Sequence, residues 1–461
     1  MITRLHTYVV ESNPGEFSAQ GFPTSSVGRL RIICVERMHM LYTYSMRILL
    51  TEGAGLTSRQ VATQLDRLGH EVWVAVADPI CLARFTRHVS KLLRVPKYGA
   101  EPLVWLDRVL DAAQEAHIDV VFPTQEQVAV LSHQLPRLTD AGLATAVPPF
   151  ASLLSVQDKL SALHTLERLG VAQPRTIVVH EPSQASNWTS FPAYVKAPVG
   201  TGSTGVVRVT DAAGMDEAIG RFVAAGALRD GGVLVQEAVE GTFVMAQCVF
   251  AAGSLVAFHA NERVHEGANG SAAAKSSVLV PLLRHELGRL GEALGWHGAL
   301  SVDVIVADGR PSVIDVNPRL VEPGNALAAG TDMVSALLAV ALGEPVAPAP
   351  PCAVGVRTHQ LLMALLGSAQ RPRPRRRVLD EVRRGVGHRG VYAGSSEELL
   401  PWRGDWRTVV LPVAVVLATL AKPRLWRAFT DGAVSHYALT PDGWHQLQRL
   451  APLGKVTAAT T

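Results

Sequence analysis

Residues 298–319 settle much of what this chain can become. Two apolar, β-branched runs flank Asp308 and Gly309, and an Asp-Gly pair between such runs is a strong hairpin signal. Register then decides the chemistry. A two-residue turn at Asp308 and Gly309 sets Asp303 opposite Ile314 and sends Asp315 to the other face. A three-residue loop that includes Arg310, with Gly309 in the left-handed region, sets Asp303 opposite Asp315. We expect the three-residue loop, because Asp303, Asp315 and Asn317 then converge on one face. Opposed like charges are destabilising without a cation between them. Hard oxygen donors in this number suit Mg²⁺, which keeps several waters and binds through one or two carboxylates plus substrate phosphates. The plain alternative is an exposed hairpin edge with solvated acids.

A second hairpin is expected at residues 193–209. An apolar run ends in Lys196, a loop containing Gly200, Gly202, Ser203, Thr204 and Gly205 follows, and Val206, Val207 and Val209 resume a strand. Glycines let backbone N–H groups approach an anion, and the two hydroxyls add donors. A P-loop is excluded in type, since its lysine follows the glycines and opens a helix. Only seven of the 43 basic residues are lysines, two of them Lys159 and Lys196.

From Met46 the pattern alternates: a strand at residues 47–51, a Gly53-Ala54-Gly55 turn, a helix over 57–68, a strand over 71–77, a helix over 102–117, a strand over 120–123 and a helix over 126–138. Strands separated by helices imply a parallel sheet covered on both faces. The Gly53 turn hints at a dinucleotide site, but Ser58 stands where the third glycine belongs. A helix opening near Ser155 carries Asp158 and Lys159 to Gly170. A strand over 233–239 and two strands about Ala252 and Gly253 follow. Residues 261–275 read as a polar loop.

These boundaries predict an N-terminal extension, 1–45, disordered or not native; an α/β domain, 46–150; a second domain, 151–345; and an accessory domain, 352–461. Four dispersed cysteines form no metal or disulfide spacing and suit a reducing cytoplasm. The longest apolar run, residues 408–421, falls short of a bilayer span. A net charge of +3 gives no argument for nucleic acid or a membrane surface. The basic run 371–377 reads as a solvated loop.

In their order along the chain, these motifs resemble the ATP-grasp superfamily, which includes biotin carboxylase, the carbamoyl-phosphate synthetase large chain, D-alanine–D-alanine ligase and amino-acid ligases. The resemblance covers roughly residues 46–344. It implies an α/β and α+β multidomain fold: an N-terminal parallel α/β (pre-ATP-grasp) domain, a two-part ATP-grasp domain with antiparallel sheets, and a C-terminal accessory domain. It implies that Lys159 and Lys196 hold the α/β-phosphates, that the loop with Gly200, Gly202, Ser203, Thr204 and Gly205 covers the β/γ end, and that Gln236, Glu237 and Val239 face adenine. Asp303, Asp315 and Asn317 would hold two Mg²⁺ ions, with Mn²⁺ an acceptable substitute. Arg319 would steady the transferred phosphoryl group, Arg263 grip substrate and Lys275 reach the γ-phosphate, with Glu322 and Asn325 on the acceptor side. Phe243 stands where relatives often carry a ribose-binding acid, and Asp replaces the commoner Glu at 303 and 315.

The expected activity is therefore an ATP-dependent ligase that makes an acyl phosphate from a small carboxylate and joins it to an amine. The partners expected are those two small molecules, with a homo-oligomer allowed and neither nucleic acid nor membrane involved. A bicarbonate-using carboxylase and a non-catalytic nucleotide-binding module are the alternatives.

Overall fold

The computed structural model describes residues 30–33, 41–200, 205–400 and 404–450. Of the expected extension, Leu30–Ile33 and Leu41–Tyr44 pair as antiparallel strands, and the rest of 1–40 lies outside the described residues.

The first domain is a four-stranded parallel sheet in the order Lys91–Arg94, Glu71–Val76, Arg47–Leu50, Val120–Phe122. Helices cover it, so its central strands are buried almost throughout. The edge strand Lys91–Arg94 was not expected. It is four residues long, exposed at both charged ends, and carries no alternation. The helix expected over 126–138 is broken at Gln134 into Val128–His133 and Leu135–Asp140. Pro136 sits in the first turn of the second piece, where its missing N–H is harmless.

The helix expected to open near Ser155 and carry both Asp158 and Lys159 begins only at Lys159. Lys159–Arg168 is helical, and Asp158 is its N-cap, accepting from Ser161 N at 2.7 Å and Ser161 Oγ at 2.8 Å. A separate turn of helix spans Phe150–Leu154.

Two antiparallel sheets follow. The smaller runs Thr176–Val179, Val233–Glu237, Ala193–Lys196, Val206–Val209 and packs on helix Ala212–Ala224 with a core of its own, including Val195, Val235, Ile219 and Phe222. The larger has seven strands, in the order Arg310–Asn317, Gly298–Ala307, Thr242–Ala251, Ser254–Glu266, Ala272–Ser277, Arg357–His359, Ser396–Glu397. Residues 261–275 are thus mostly sheet and not the loop that their polarity suggested. Its last two strands come from beyond residue 352, so the accessory region extends the large sheet.

The remaining accessory elements are mainly helices: Leu361–Gln370, Pro374–Val386, Val410–Ala421, Trp426–Val434 and Pro441–Arg449. The basic run 371–377 is a loop only as far as Arg373; its remainder opens the second of these. Arg375 Nε and Nη2 donate to Leu420 O at 2.6 Å and Ala421 O at 3.0 Å, closing the carbonyl end of Val410–Ala421 with a positive charge. No helix among the described residues is long and apolar enough to cross a membrane. The last helix returns to the first domain. Leu439, Trp444 and Leu447 join a core containing Phe150, Trp105 and Leu300, and each such burial contributes roughly 1.5–3 kcal/mol.

Candidate active site

The hairpin Gly298–Ala307 and Arg310–Asn317 turns on two residues, not three. Ala307 opposes Arg310, with Asp308 at φ 50° and Gly309 at φ 75°, the left-handed pair that a tight hairpin demands. Asp303 nevertheless faces Asp315. Val304 opposes Val313 and Asp303 opposes Asp315, so Ile314 is an extra residue in a β-bulge. The expected convergence holds, but a bulge produces it where a longer loop was expected.

The bulge also frees a backbone acceptor. Lys196 Nζ donates to Ile314 O at 2.7 Å and to Gln236 Oε1 at 2.7 Å, and Gln236 in turn donates to Thr176 Oγ1 at 3.1 Å. One lysine therefore ties the small sheet to the acid-bearing hairpin. Burial lowers the pKa of Lys196 to about 8; Asp315 and Asp303 pull it up and Lys159 pushes it further down. Lys159 Nζ lies 3.5 Å from Asp315 Oδ1 and 3.4 Å from Gly200 O, spanning the start of the glycine loop and the acids. Gly205, at φ 79°, closes that loop through its carbonyl, which accepts from Ala197 N at 2.8 Å. Gly202, Ser203 and Thr204 lie outside the described residues.

Burial raises Asp303 to about 7, reinforced by Asp315 and opposed by Arg319 and Lys196. Two acids compressed in this way favour a cation between them. Asn317 accepts from Arg319 Nη2 at 3.4 Å. Among the described residues no group of three or more His, Cys, Asp or Glu side chains is arranged to hold a metal. The donor set here is two carboxylates and an amide, which fits an ion that takes its remaining ligands from phosphates and water.

Opposed residues in an antiparallel pair share a face, and alternate residues along a strand return to it. Asp303 opposes Met245, Met245 opposes Asn261, and Arg263, two residues further, opposes Lys275. Arg263 and Lys275 thus share the face of Asp303, Asp315 and Asn317. Their present partners differ from the expected ones. Lys275 Nζ is fully buried, 2.5 Å from Glu322 Oε2 and 3.1 Å from Glu398 Oε2; burial alone would lower its pKa, and the two carboxylates raise it above the ordinary value. Arg263 lies over the Phe243 ring at 4.6 Å and donates to Gly270 O at 2.6 Å. Gln247 Oε1, His259 Nδ1 and Asn261 Oδ1, on the same face, are buried with no hydrogen-bond partner among the described residues. Asn325 holds His259 Nε2 at 2.8 Å and does not cap a helix. On the small sheet, Glu237 opposes Ala193, and Val239 is half-buried two residues beyond.

Two residues at the site were not anticipated. Glu126 pairs with Arg319 Nε at 3.1 Å and accepts from Gln157 at 3.0 Å. Glu52 accepts from the amides of Ala54 at 2.7 Å and Gly55 at 2.8 Å, and also from Ser58 Oγ; burial raises its pKa. Both acids follow strands of the parallel sheet at their carboxyl ends, where open α/β sheets place ligands, and that position was the available signal.

A family profile described as the ATP-grasp domain matches residues 156–323. Solved structures share the fold. The biotin carboxylase domain of Hydrogenobacter thermophilus 2-oxoglutarate carboxylase, bound to MgADP, ADP and bicarbonate, is 16% identical with a TM-score of 0.54, covering 68% of this chain and 73% of that one. Campylobacter jejuni biotin carboxylase gives 16%, 0.55, 68% and 74% on the same measures. N5-carboxyaminoimidazole ribonucleotide synthetase of Thermus thermophilus gives 20%, 0.50, 68% and 81%. No curated protein matches the chain.

Proposed function

We propose that this chain, whose residues 156–323 form an ATP-grasp domain, is an ATP-dependent ligase that phosphorylates a small carboxylate and passes the acyl group to an amine. The observation that carries this reading is the junction at Lys196. A scarce lysine is buried where the small sheet, Gln236 and the bulged carbonyl of Ile314 meet, one residue from Asp315.

In this reading Asp303, Asp315 and Asn317 hold Mg²⁺, two ions in all, which neutralise the phosphate oxygens and so assist transfer of the γ-phosphoryl group. Lys159 and Lys196 take the α/β-phosphates, the loop from Gly200 to Gly205 covers them, and Gln236, Glu237 and Val239 border the adenine. Arg319 is held by Glu126 beside Asn317, aimed so that its charge offsets that developing on the acyl phosphate. Substrate carboxylate attacks phosphorus and releases ADP; the amine then attacks the acyl carbon and releases phosphate. The chain supplies positioning and charge, and no protein nucleophile is needed. We place the enzyme in the cytoplasm, and a homo-oligomer is compatible with this role.

The fold shared with biotin carboxylases favours a second reading, in which bicarbonate is the acid. ADP release measured over acid and amine pairs, bicarbonate included, separates the two. Asp315→Asn is expected to lower ADP release by roughly two orders of magnitude with the far-UV spectrum unchanged. Wild-type turnover in that variant sinks the metal assignment.

A further inference from the structure

We propose that helix Val410–Ala421, with the short 3-10 turn Trp406–Val409 that leads into it, docks this protein peripherally on an anionic lipid surface, lying in the plane of the interface. The proposal is independent of the ligase reading.

The helix is apolar on both sides. One side belongs to the core: Val415 and Thr419 are fully buried, and Leu411, Val416 and Leu420 pack against Leu362, Leu365 and Val378 of the two preceding helices. On the opposite side Val410, Val413, Ala414, Leu417 and Ala421 form an exposed stripe at helical spacing. Leu417 is 64% exposed and Val413 49%. Trp406, four residues before Val410, is 74% exposed, and Val409 and Leu425 are exposed at the two ends. A continuous apolar stripe that no described residue covers marks an interaction surface. At twelve residues the helix is roughly 18 Å long, too short to cross a bilayer and suited to lying on one.

Charge selects the partner. Residues 371–427 hold thirteen arginines and lysines against five acids, while the rest of the chain is net negative. Four of those acids are turned inward. Glu381 accepts from Ser368 Oγ at 3.1 Å, Glu397 from the amides of Leu361, Leu399 and Leu400, Glu398 from Lys275, and Asp405 from Thr86 Oγ1 at 2.7 Å. The whole-chain charge of +3, from which no membrane partner was expected, conceals this local excess. Both ends of the stripe are basic: exposed Arg407 stands at one, and exposed Lys422, Arg424 and Arg427 at the other. Arg375 joins the second end through the carbonyls of Leu420 and Ala421, and Arg427 lies over the Trp426 ring at 5.6 Å. An apolar stripe bounded by arginine, lysine and tryptophan matches acyl chains beneath it and anionic headgroups at its rim. A second copy of this chain matches it less well, because two such helices pair only by setting basic end against basic end. Nucleic acid would meet the basic ends and leave Val413 and Leu417 without an apolar counterpart.

The test is flotation of the full chain with vesicles of phosphatidylcholine alone and of phosphatidylcholine mixed with phosphatidylglycerol. Wild type should float with the mixed vesicles, stay behind with the neutral ones, and come off as salt is raised. Val413→Ser combined with Leu417→Ser should lower the partition by about tenfold or more. Arg424→Glu combined with Arg427→Glu should lower it by a second route that leaves the apolar stripe intact. All four positions are exposed, so far-UV spectra and denaturant midpoints should match wild type. Anionic vesicles should also shift tryptophan emission to the blue, and Trp406→Phe should reduce that shift while still floating. Wild type that floats with neither vesicle, or equally with both, overturns the proposal, as does full binding by the serine variant. A shift that Trp406→Phe leaves intact counts against the stripe as the contact. A wild-type dimer that the serine variant splits, with no flotation, assigns the stripe to a second copy, and RNA binding without flotation makes the region a nucleic-acid patch; either result removes the lipid reading.

Discussion

Lys196 is only 6% exposed, and burying an ammonium is costly unless it is hydrogen-bonded and faces opposite charge. Gln236, Ile314 O and the nearby acids meet that condition in advance of any ligand. Buried histidines on the large sheet obey the opposite logic. His259 is fully buried, and burial lowers its pKa to about 4 despite its hydrogen bond to Asn325. Between about pH 6.5 and 4 the unfolded chain binds a proton there that the folded chain does not, so stability is lost as pH is lowered through that window, by roughly 3 kcal/mol when complete. Urea unfolding at pH 7 and pH 4.5 should show this loss, and His259→Gln should flatten the dependence; equal slopes would refute it. At this scale Lys159, Lys196, Asp303, Asp315 and Asn317 were legible, because scarce lysines and spaced acids leave a pattern. Glu52 and Glu126 were not, since each is a lone residue whose meaning depends on what a distant segment brings to it.

At the scale of elements, the acid-bearing hairpin shows how a right pairing can rest on a wrong turn. Alternation and an Asp-Gly pair announce a hairpin, but a bulge carries no composition signal when the extra residue is an isoleucine among valines. Ile314 shifts the register that the two-residue turn would otherwise impose, and its unpaired carbonyl becomes a ligand for Lys196. The turn itself depends on Gly309. An added methyl there would meet no atom within 4 Å, so any cost of Gly309→Ala comes from the φ of 75° alone. We expect about 1–2 kcal/mol of lost stability, with Gly309→Asn losing less because Asn tolerates the left-handed region. Denaturant midpoints for the pair decide it, and an Ala variant as stable as wild type would show that the turn relaxes freely. The polar stretch 261–275 misled for a related reason. Its Arg263 and Lys275 were expected on a loop, reaching for substrate and γ-phosphate, whereas Lys275 sits in a strand and pairs with Glu322 and Glu398, one of which arrives from the accessory region.

Across the whole molecule, the first 345 residues and the remainder are less separable than composition suggested. The Pro-rich segment after Gly343 looks like a linker, yet the chain beyond it adds two strands to the large sheet, supplies Glu398 to Lys275 and sends its last described helix back to the first domain. Such returns leave no local trace in a sequence, because helix Pro441–Arg449 is an ordinary amphipathic segment until Phe150 and Trp105 are seen beneath it. Trp444 is the test. Its ring meets Phe150 edge-on with centroids 6.2 Å apart, and it is 1% exposed in a core shared with strands of both the parallel and the large antiparallel sheet. Trp444→Ala should cost about 3–5 kcal/mol and move a single denaturant transition to lower concentration, while Trp444→Phe recovers part of the loss. Were the accessory region an independent body, the alanine variant would instead show an early, separate transition and leave the main midpoint where it stands in wild type.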